Sequence, residues 1–123
     1  MDVDHTAIWV SDLDVSRSFF VGTLGLAEKR SHTRRGITNL YVGGENGSIQ
    51  LRFEPGREIP PPSDWSRTDH IALSTENASE ICERVSAAAD CEVIRTPERI
   101  EMLDVEVAFV RSPDGYAIEL VER

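Results

Sequence analysis

The sequence predicts an α+β protein built from two tandem β-α-β-β-β modules, and three observations carry that expectation. The stretch "DHTAIWV" at residues 4–10 returns as "DHIALST" at residues 69–75, so an Asp-His-x-Ala strand is written twice. An Ile-Gln-Leu triplet at 49–51 closes the first half as Ile-Glu-Leu at 118–120 closes the second. Between each opening and closing segment lie one helix-like run and two more strand-like runs, and motifs repeated in the same order mark an internal duplication.

The first half opens with a strand over 4–11. A helix is expected over residues 12–24, with Ser11 or Asp12 as its cap, Gly25 in the C-terminal glycine position, and Phe20 and Leu24 forming an apolar stripe. Strands are expected at 26–33, 37–43 and 48–53, the last two joined by the turn-rich "GENG". Residues 54–67 hold four of the six prolines, which cannot sustain a helix or a central strand, so they read as a surface linker.

The second half restarts the pattern with a strand ending at Thr75. Asn77, with Glu80 three residues on, forms a capping box, and Ile81, Val85 and Ala88 or Ala89 stripe one face of the helix that follows. Strands are expected at 91–96, 105–112 and 116–122, with "SPDG" (112–115) turning between the last two. The charged run "PERIEMLD" (97–104) reads as a loop and a lid over a site. One domain over 1–123 is expected, with repeat one at 1–54, a linker at 55–67 and repeat two at 68–123. Helices should cover one face of each curved sheet, leaving the other to line a cavity within one chain or across a dimer.

Composition narrows the function. The chain of 123 residues is 40% hydrophobic and 28% charged, an ordinary globular balance. Its formal charge of −9, with Lys29 the single lysine, repels nucleic acid and anionic lipid and also suits a protein living in concentrated salt. No apolar run approaches the roughly 18 residues of a membrane span, and no basic region precedes the first apolar residues, so a cytoplasmic location is expected. Cys82 and Cys91 form no CxxC pair and read as small buried thiols.

Side chains alternate between the faces of a strand, which sorts each repeated segment in two. Thr6, Ile8 and Val10 go to the helix side, and His5, Ala7 and Trp9 to the other. Ile49, Leu51 and Phe53 oppose Gln50 and Arg52. In the second half Ile71 and Leu73 oppose His70, Ala72 and Ser74, while Ile118 and Leu120 oppose Glu119. If the duplicated positions come together, His5, Gln50, His70 and Glu119 offer two imidazoles, an amide oxygen and a carboxylate, a mixed set that suits Zn, Ni, Co, Mn or Fe as a divalent ion. Trp9, Arg52 and Ser74 fall on the same faces and would line the substrate pocket. Asp4 and Asp69 are expected to face away and not to be ligands, and His32 to be solvated surface.

The duplication, with "DHTAIWVSDLDVSRSFFVGTLGL" opening one half, "DHIALST" the other and "SPDGYAIEL" closing it, resembles the vicinal oxygen chelate superfamily, and within it glyoxalase I. That resemblance implies a divalent metal on His5, Gln50, His70 and Glu119, and a homodimer whose sites draw ligands from both chains. It implies as substrate a hemithioacetal of methylglyoxal and a thiol, whose adjacent oxygens chelate the metal. Glu119 would be the base that moves a proton between neighbouring carbons through a metal-stabilised enediolate.

The sequence departs from glyoxalase I where Gln50 replaces a usual glutamate. The resulting His-Gln-His-Glu set also resembles methylmalonyl-CoA epimerase. Trp9 stands where glyoxalases of this length carry an arginine for the glutathione carboxylate, and Glu54 where an asparagine often helps hold the thiol. A dioxygenase or a thiol transferase of the fosfomycin-resistance type could use His5, His70 and Glu119 alone. A drug-sequestering protein of the bleomycin-resistance type would use no metal.

Overall fold

The computed structural model describes residues 1–60, 68–89 and 91–123. The chain forms two compact units, Met1–Pro60 and Pro61–Arg123. Of the expected linker, residues 61–67 lie outside the described residues.

In the first unit, strand β1 (His5–Trp9) leads into helix α1 (Leu13–Arg17), which continues as a π-helical segment over Ser18–Thr23. Asp12 caps the helix, its carboxylate accepting the Val15 N–H at 3.0 Å. The π segment ends where the Leu24 N–H donates to the Phe19 carbonyl, and Gly25 turns the chain out at φ +87°, a left-handed conformation that glycine adopts without strain. Strands β2 (Ala27–Arg34), β3 (Ile37–Gly44) and β4 (Gly47–Phe53) follow. The sheet order is β1-β4-β3-β2, with β1 and β4 parallel and the rest antiparallel.

The second unit repeats that plan. Strand β5 (Ile71–Thr75), helix α2 (Ala78–Ala87), and strands β6 (Glu92–Ile100), β7 (Val105–Arg111) and β8 (Ala117–Glu122) form a sheet of order β5-β8-β7-β6, again with its first and last strands parallel. The expected capping box is present in altered form. The Asn77 side chain accepts the Glu80 N–H at 3.0 Å, but the Glu80 carboxylate returns to the Asn77 amide (3.1 Å), while the Asn77 N–H goes to Thr75 Oγ1 (3.2 Å). In the closing turn the Ser112 hydroxyl accepts the Tyr116 N–H at 3.0 Å, and Gly115 sits at φ +89°.

One expectation is corrected. The run 97–104 is not a separate loop: β6 continues through Pro97 to Ile100, and a short 3₁₀ turn at Glu101–Leu103 leads straight into β7. Proline lacks a ladder donor, but β6 is an edge strand, and register shifts on both sides of Arg95 let the ladder resume at Glu98. Arg99 ties the turn down through ion pairs to Glu101 and Asp104.

Each sheet buries most of its helix-facing side, but Thr6, expected there, is exposed near the start of β1, and Phe53, Ile71 and Leu73 are only half-buried. Ile8, Val10, Phe19, Phe20, Leu40, Val42, Ile49 and Leu51 form the first core, and Ile81, Val85, Ala108, Val110, Ile118 and Leu120 the second. Burying a side chain of the size of Phe20 or Leu51 contributes about 1.5–3 kcal/mol, so these faces fix which side of each sheet stays open. No helix among the described residues is long and apolar enough to cross a membrane.

The β3–β4 hairpin depends on a bare backbone at Gly43. A Cβ there would collide with the Gly47 carbonyl oxygen and lie 2.9 Å from Ser48 Cα, both backbone atoms that cannot rotate aside. Gly43→Ala is therefore expected to lower stability by about 1–3 kcal/mol, the range for overpacking, read as a lower urea midpoint with an unchanged slope.

Candidate functional site

In the first unit the face away from the helix collects the polar side chains. The register His5↔Ser48 and Ala7↔Gln50 places His5 and Gln50 on neighbouring strands and on one face, and Tyr41↔Gln50 and Asn39↔Arg52 add β3 to it. Asn39 is the buried organiser, with 3% of its surface exposed. Its side-chain oxygen accepts from Gln50 Nε2 at 2.8 Å and from Arg52 Nε at 3.1 Å, while its nitrogen donates to the Ile37 carbonyl at 3.3 Å. With its nitrogen engaged, Gln50 presents its carbonyl oxygen as the end able to ligate a cation.

His5 is held from two sides. Its Nδ1 lies 2.6 Å from the Asp4 carboxylate, and its ring meets Tyr41 edge-on at 5.5 Å. The hydrogen bond and charge of His5 hold the Asp4 carboxyl below the ordinary carboxylate value. Further along the face Trp9 carries two guanidinium groups on its ring, Arg52 at 4.7 Å and Arg57 at 3.8 Å. Arg57 also pairs with Glu54 at 3.1 Å.

The second unit holds the closest pair of predicted residues. His70 Nε2 stands 3.0 Å from Glu119 Oε2, and His70 Nδ1 stands 2.7 Å from Asp69. The His70 ring meets Phe109 edge-on at 5.7 Å. The hydrogen bond to Asp69, opposed by burial and reinforced by the Glu119 charge, raises the His70 pKa above its ordinary value. Ser74 is exposed, and its partner across the ladder is Val121, on the face that carries Glu119.

The structure thus joins His70 to Glu119 and places His5, opposite Ser48, and Gln50, opposite Ala7, on one face of neighbouring strands. Among the described residues no group of three or more His, Cys, Asp or Glu side chains is placed to hold a metal ion. Asp4 and Asp69 bind the two histidines, which alternation missed because β5 begins only at Ile71 and β1 only at His5, so neither Asp is bound by the strand pattern. His32 is exposed as expected, yet its ring stacks on Tyr41 at 5.8 Å. Asn39 and Tyr41 were not singled out from the sequence, although alternation along β3 against Leu40 and Val42 is the signal that sets them on the face of Arg52 and Gln50. Cys82 is buried, which pushes its thiol pKa up, and Cys91 is half-buried beside the carbonyls of Val85 and Ala89; neither is in a disulfide.

The chemistry of the residues fits a divalent cation: each histidine turns Nδ1 to a carboxylate, so a neutral ring can offer the Nε2 lone pair, and at His70 the Glu119 oxygen stands beside that nitrogen.

The sequence matches the family described as "Glyoxalase/Bleomycin resistance protein/Dioxygenase superfamily" over residues 2–120. It is 32% identical to a probable lactoylglutathione lyase of Synechocystis, over 96% of this chain and 92% of that protein. It is 33% identical to the lactoylglutathione lyase of Salmonella typhimurium, over 96% and 90% respectively. Among solved structures, glyoxalase I of Zea mays shares the fold with a TM-score of 0.84 at 20% identity, and this chain spans 99% of its own length but 44% of the maize chain. A trypanothione-dependent glyoxalase I of Leishmania major gives a TM-score of 0.76 at 26% identity, over 99% of this chain and 86% of that one.

In the metal-free chain the His70 imidazole is expected to titrate above the ordinary histidine value, and Asp69→Asn to bring it back down, as read by NMR titration of the ring protons. The sign for stability follows. A raised folded pKa stabilises the fold at acidic pH, below the unfolded value, and that contribution is lost as pH rises through the folded value.

Proposed function

Because the chain belongs to the glyoxalase/bleomycin resistance protein/dioxygenase superfamily, we propose that it is a metal-dependent lyase of the glyoxalase I type, acting on the hemithioacetal of a 2-oxoaldehyde and a thiol. The observation that carries this reading is the His70–Glu119 pair at 3.0 Å, an imidazole and a carboxylate aimed at one another from adjacent segments. Relatives named lactoylglutathione lyase over nearly their whole length support it.

In this reading His5, Gln50, His70 and Glu119 hold the ion. A bound divalent cation would supply Lewis-acid stabilisation of the negative charge that develops on two adjacent substrate oxygens. Glu119 is the one carboxylate of the four, so the proton transfer falls to it. It takes the proton from the carbon bearing the sulfur and returns it to the neighbouring carbon, which isomerises the adduct to the thioester of a 2-hydroxy acid with no net gain or loss of protons. Gln50 cannot carry a proton and serves as a neutral donor held in place by Asn39.

Arg52 and Arg57, laid on Trp9, would hold an anionic group of the thiol. Arg52 lies two residues beyond Gln50 on the same strand face, about 7 Å at the usual strand rise. We take the active form to be a homodimer with shared sites, because this chain spans 44% of maize glyoxalase I and a two-copy assembly would match that length. The amide at position 50 favours as second reading an epimerase of the methylmalonyl-CoA type, which moves a proton at a carbon next to a thioester.

Elemental analysis of protein purified without added metal should find a transition metal in stoichiometric amount, lost in both His5→Ala and Glu119→Ala. Glu119→Gln should keep the ion and lose turnover by about 10²-fold or more, the usual contribution of a positioned base. Full activity in that variant would overturn the mechanism. Methylglyoxal with a panel of thiols, followed by methylmalonyl-CoA, separates the two readings. Arg52→Gln should raise KM for carboxylate-bearing thiols and spare a neutral one.

A further inference from the structure

We infer that Asp4 and Asp69, together with the rings of Tyr41 and Phe109, are positioning residues that fix the tautomer and ring plane of His5 and His70, so that each turns an unprotonated Nε2 toward a divalent ion. This rests on the metal-dependent reading above.

The same four-part arrangement is built twice. An aspartate one residue ahead lies 2.6 Å from His5 Nδ1 and 2.7 Å from His70 Nδ1. An aromatic ring meets each imidazole edge-on, at 5.5 Å and 82° for Tyr41 and at 5.7 Å and 85° for Phe109. An arginine then covers each aromatic ring, Arg30 at 4.3 Å and Arg95 at 5.5 Å. Tyr41 pairs with Gln50 and Phe109 with Glu119, so the two rings occupy corresponding places.

Folding alone does not account for the pairs. The carboxylates are 86% and 95% exposed, and an ion pair so open to water contributes little to stability. Nor does inheritance from the duplication suffice, since corresponding positions around them have changed. Trp9 answers to Ser74, Asn39 to Val107 and Gln50 to Glu119, whereas Asp-His, an aromatic ring and its arginine stay together.

The chemistry supplies the reason. A neutral imidazole carries its proton on one nitrogen only, and a carboxylate at Nδ1 holds the proton there and leaves the Nε2 lone pair free to ligate. The edge-on ring opposes the half-turn about Cβ–Cγ that would exchange the two nitrogens. Arg30 and Arg95 steady those rings from the side.

The test uses Asp4→Ala, Asp69→Ala and the corresponding Asn variants. Zn²⁺ affinity is measured by competition with a chromophoric chelator, and tautomers by long-range ¹H–¹⁵N spectra at a pH where the imidazoles are neutral. Each Ala variant should bind Zn²⁺ about 10–100-fold more weakly, the usual effect of removing a partner of a ligating histidine. In Asp4→Ala, His5 should change from one Nδ1–H tautomer to a mixture, and in Asp69→Ala, His70, whose Nε2 faces Glu119 at 3.0 Å in the metal-free chain, should shift toward the Nε2–H tautomer. Asn, which keeps an acceptor oxygen, should retain the tautomer and most of the affinity. Affinities within twofold of wild type with unchanged spectra would overturn the proposal. If the wild-type chain takes up no Zn²⁺, the metal reading falls by itself, and the spectra alone decide: tautomer loss in the Ala variants supports the positioning role, and its absence refutes it.

Discussion

The constraint on which the site depends is the parallel pairing of the first and last strands of each unit. Ala7 lies opposite Gln50 and Ala72 opposite Glu119, the same register twice. Because side chains alternate with a period of two, a slip of one residue would send the polar set into the core and the aliphatic set into water. The buried faces forbid that slip, since Ile49, Leu51, Ile118 and Leu120 are almost fully enclosed. Hydrophobic burial on one side of the sheet therefore aligns the donors on the other. The alanines contribute too: a methyl group opposite Gln50 and Glu119 leaves that face open between the histidine and the donor on the neighbouring strand.

The polar face is ordered by a few groups with more than one partner. Asn39 spends both ends of its amide, two hydrogen bonds on its oxygen and one on its nitrogen, so Gln50 and Arg52 are set by a single buried residue. A buried amide left without such partners would cost a few kcal/mol, which is why Asn39 is tolerated in the sheet at all. Tyr41 plays a similar part with its ring, touching His5 on one side, His32 on another, and receiving Arg30.

Much of this was legible in the sequence, for reasons that can be stated. The duplication and the order of helices and strands follow from hydrophobic period and turn chemistry, and the shared face of His5 and Gln50 and of Glu119 from alternation within short strands, while His70 precedes β5 and meets Glu119 from just outside it. What escaped lies where alternation stops holding. The register shifts in β6 carried a strand past Pro97, where proline alone argues for an end. The π-helical turn over Ser18–Thr23 has no period of its own in the sequence. Asp4 and Asp69 stand at or before a strand end, so their direction is set by a hydrogen bond to the next residue rather than by the pleat.

The two units differ most in charge. Residues 1–60 carry 7 basic against 8 acidic side chains, while residues 61–123 carry 6 against 14. The nearly balanced unit is the one with an amide at the shared position and with arginines spread on Trp9 and Tyr41; the acidic unit is the one with a carboxylate there. Under the proposed function, an amide and a carboxylate of nearly equal shape in equivalent registers would divide two tasks, since both can donate an oxygen lone pair but only the carboxylate can accept a proton at neutral pH. Two carboxylates at both places would leave the proton a choice of carriers. In the proposed reading, with Gln50 fixed by Asn39 and Glu119 facing His70, that choice would be removed, and the asymmetry between otherwise matching halves would give the reaction its direction.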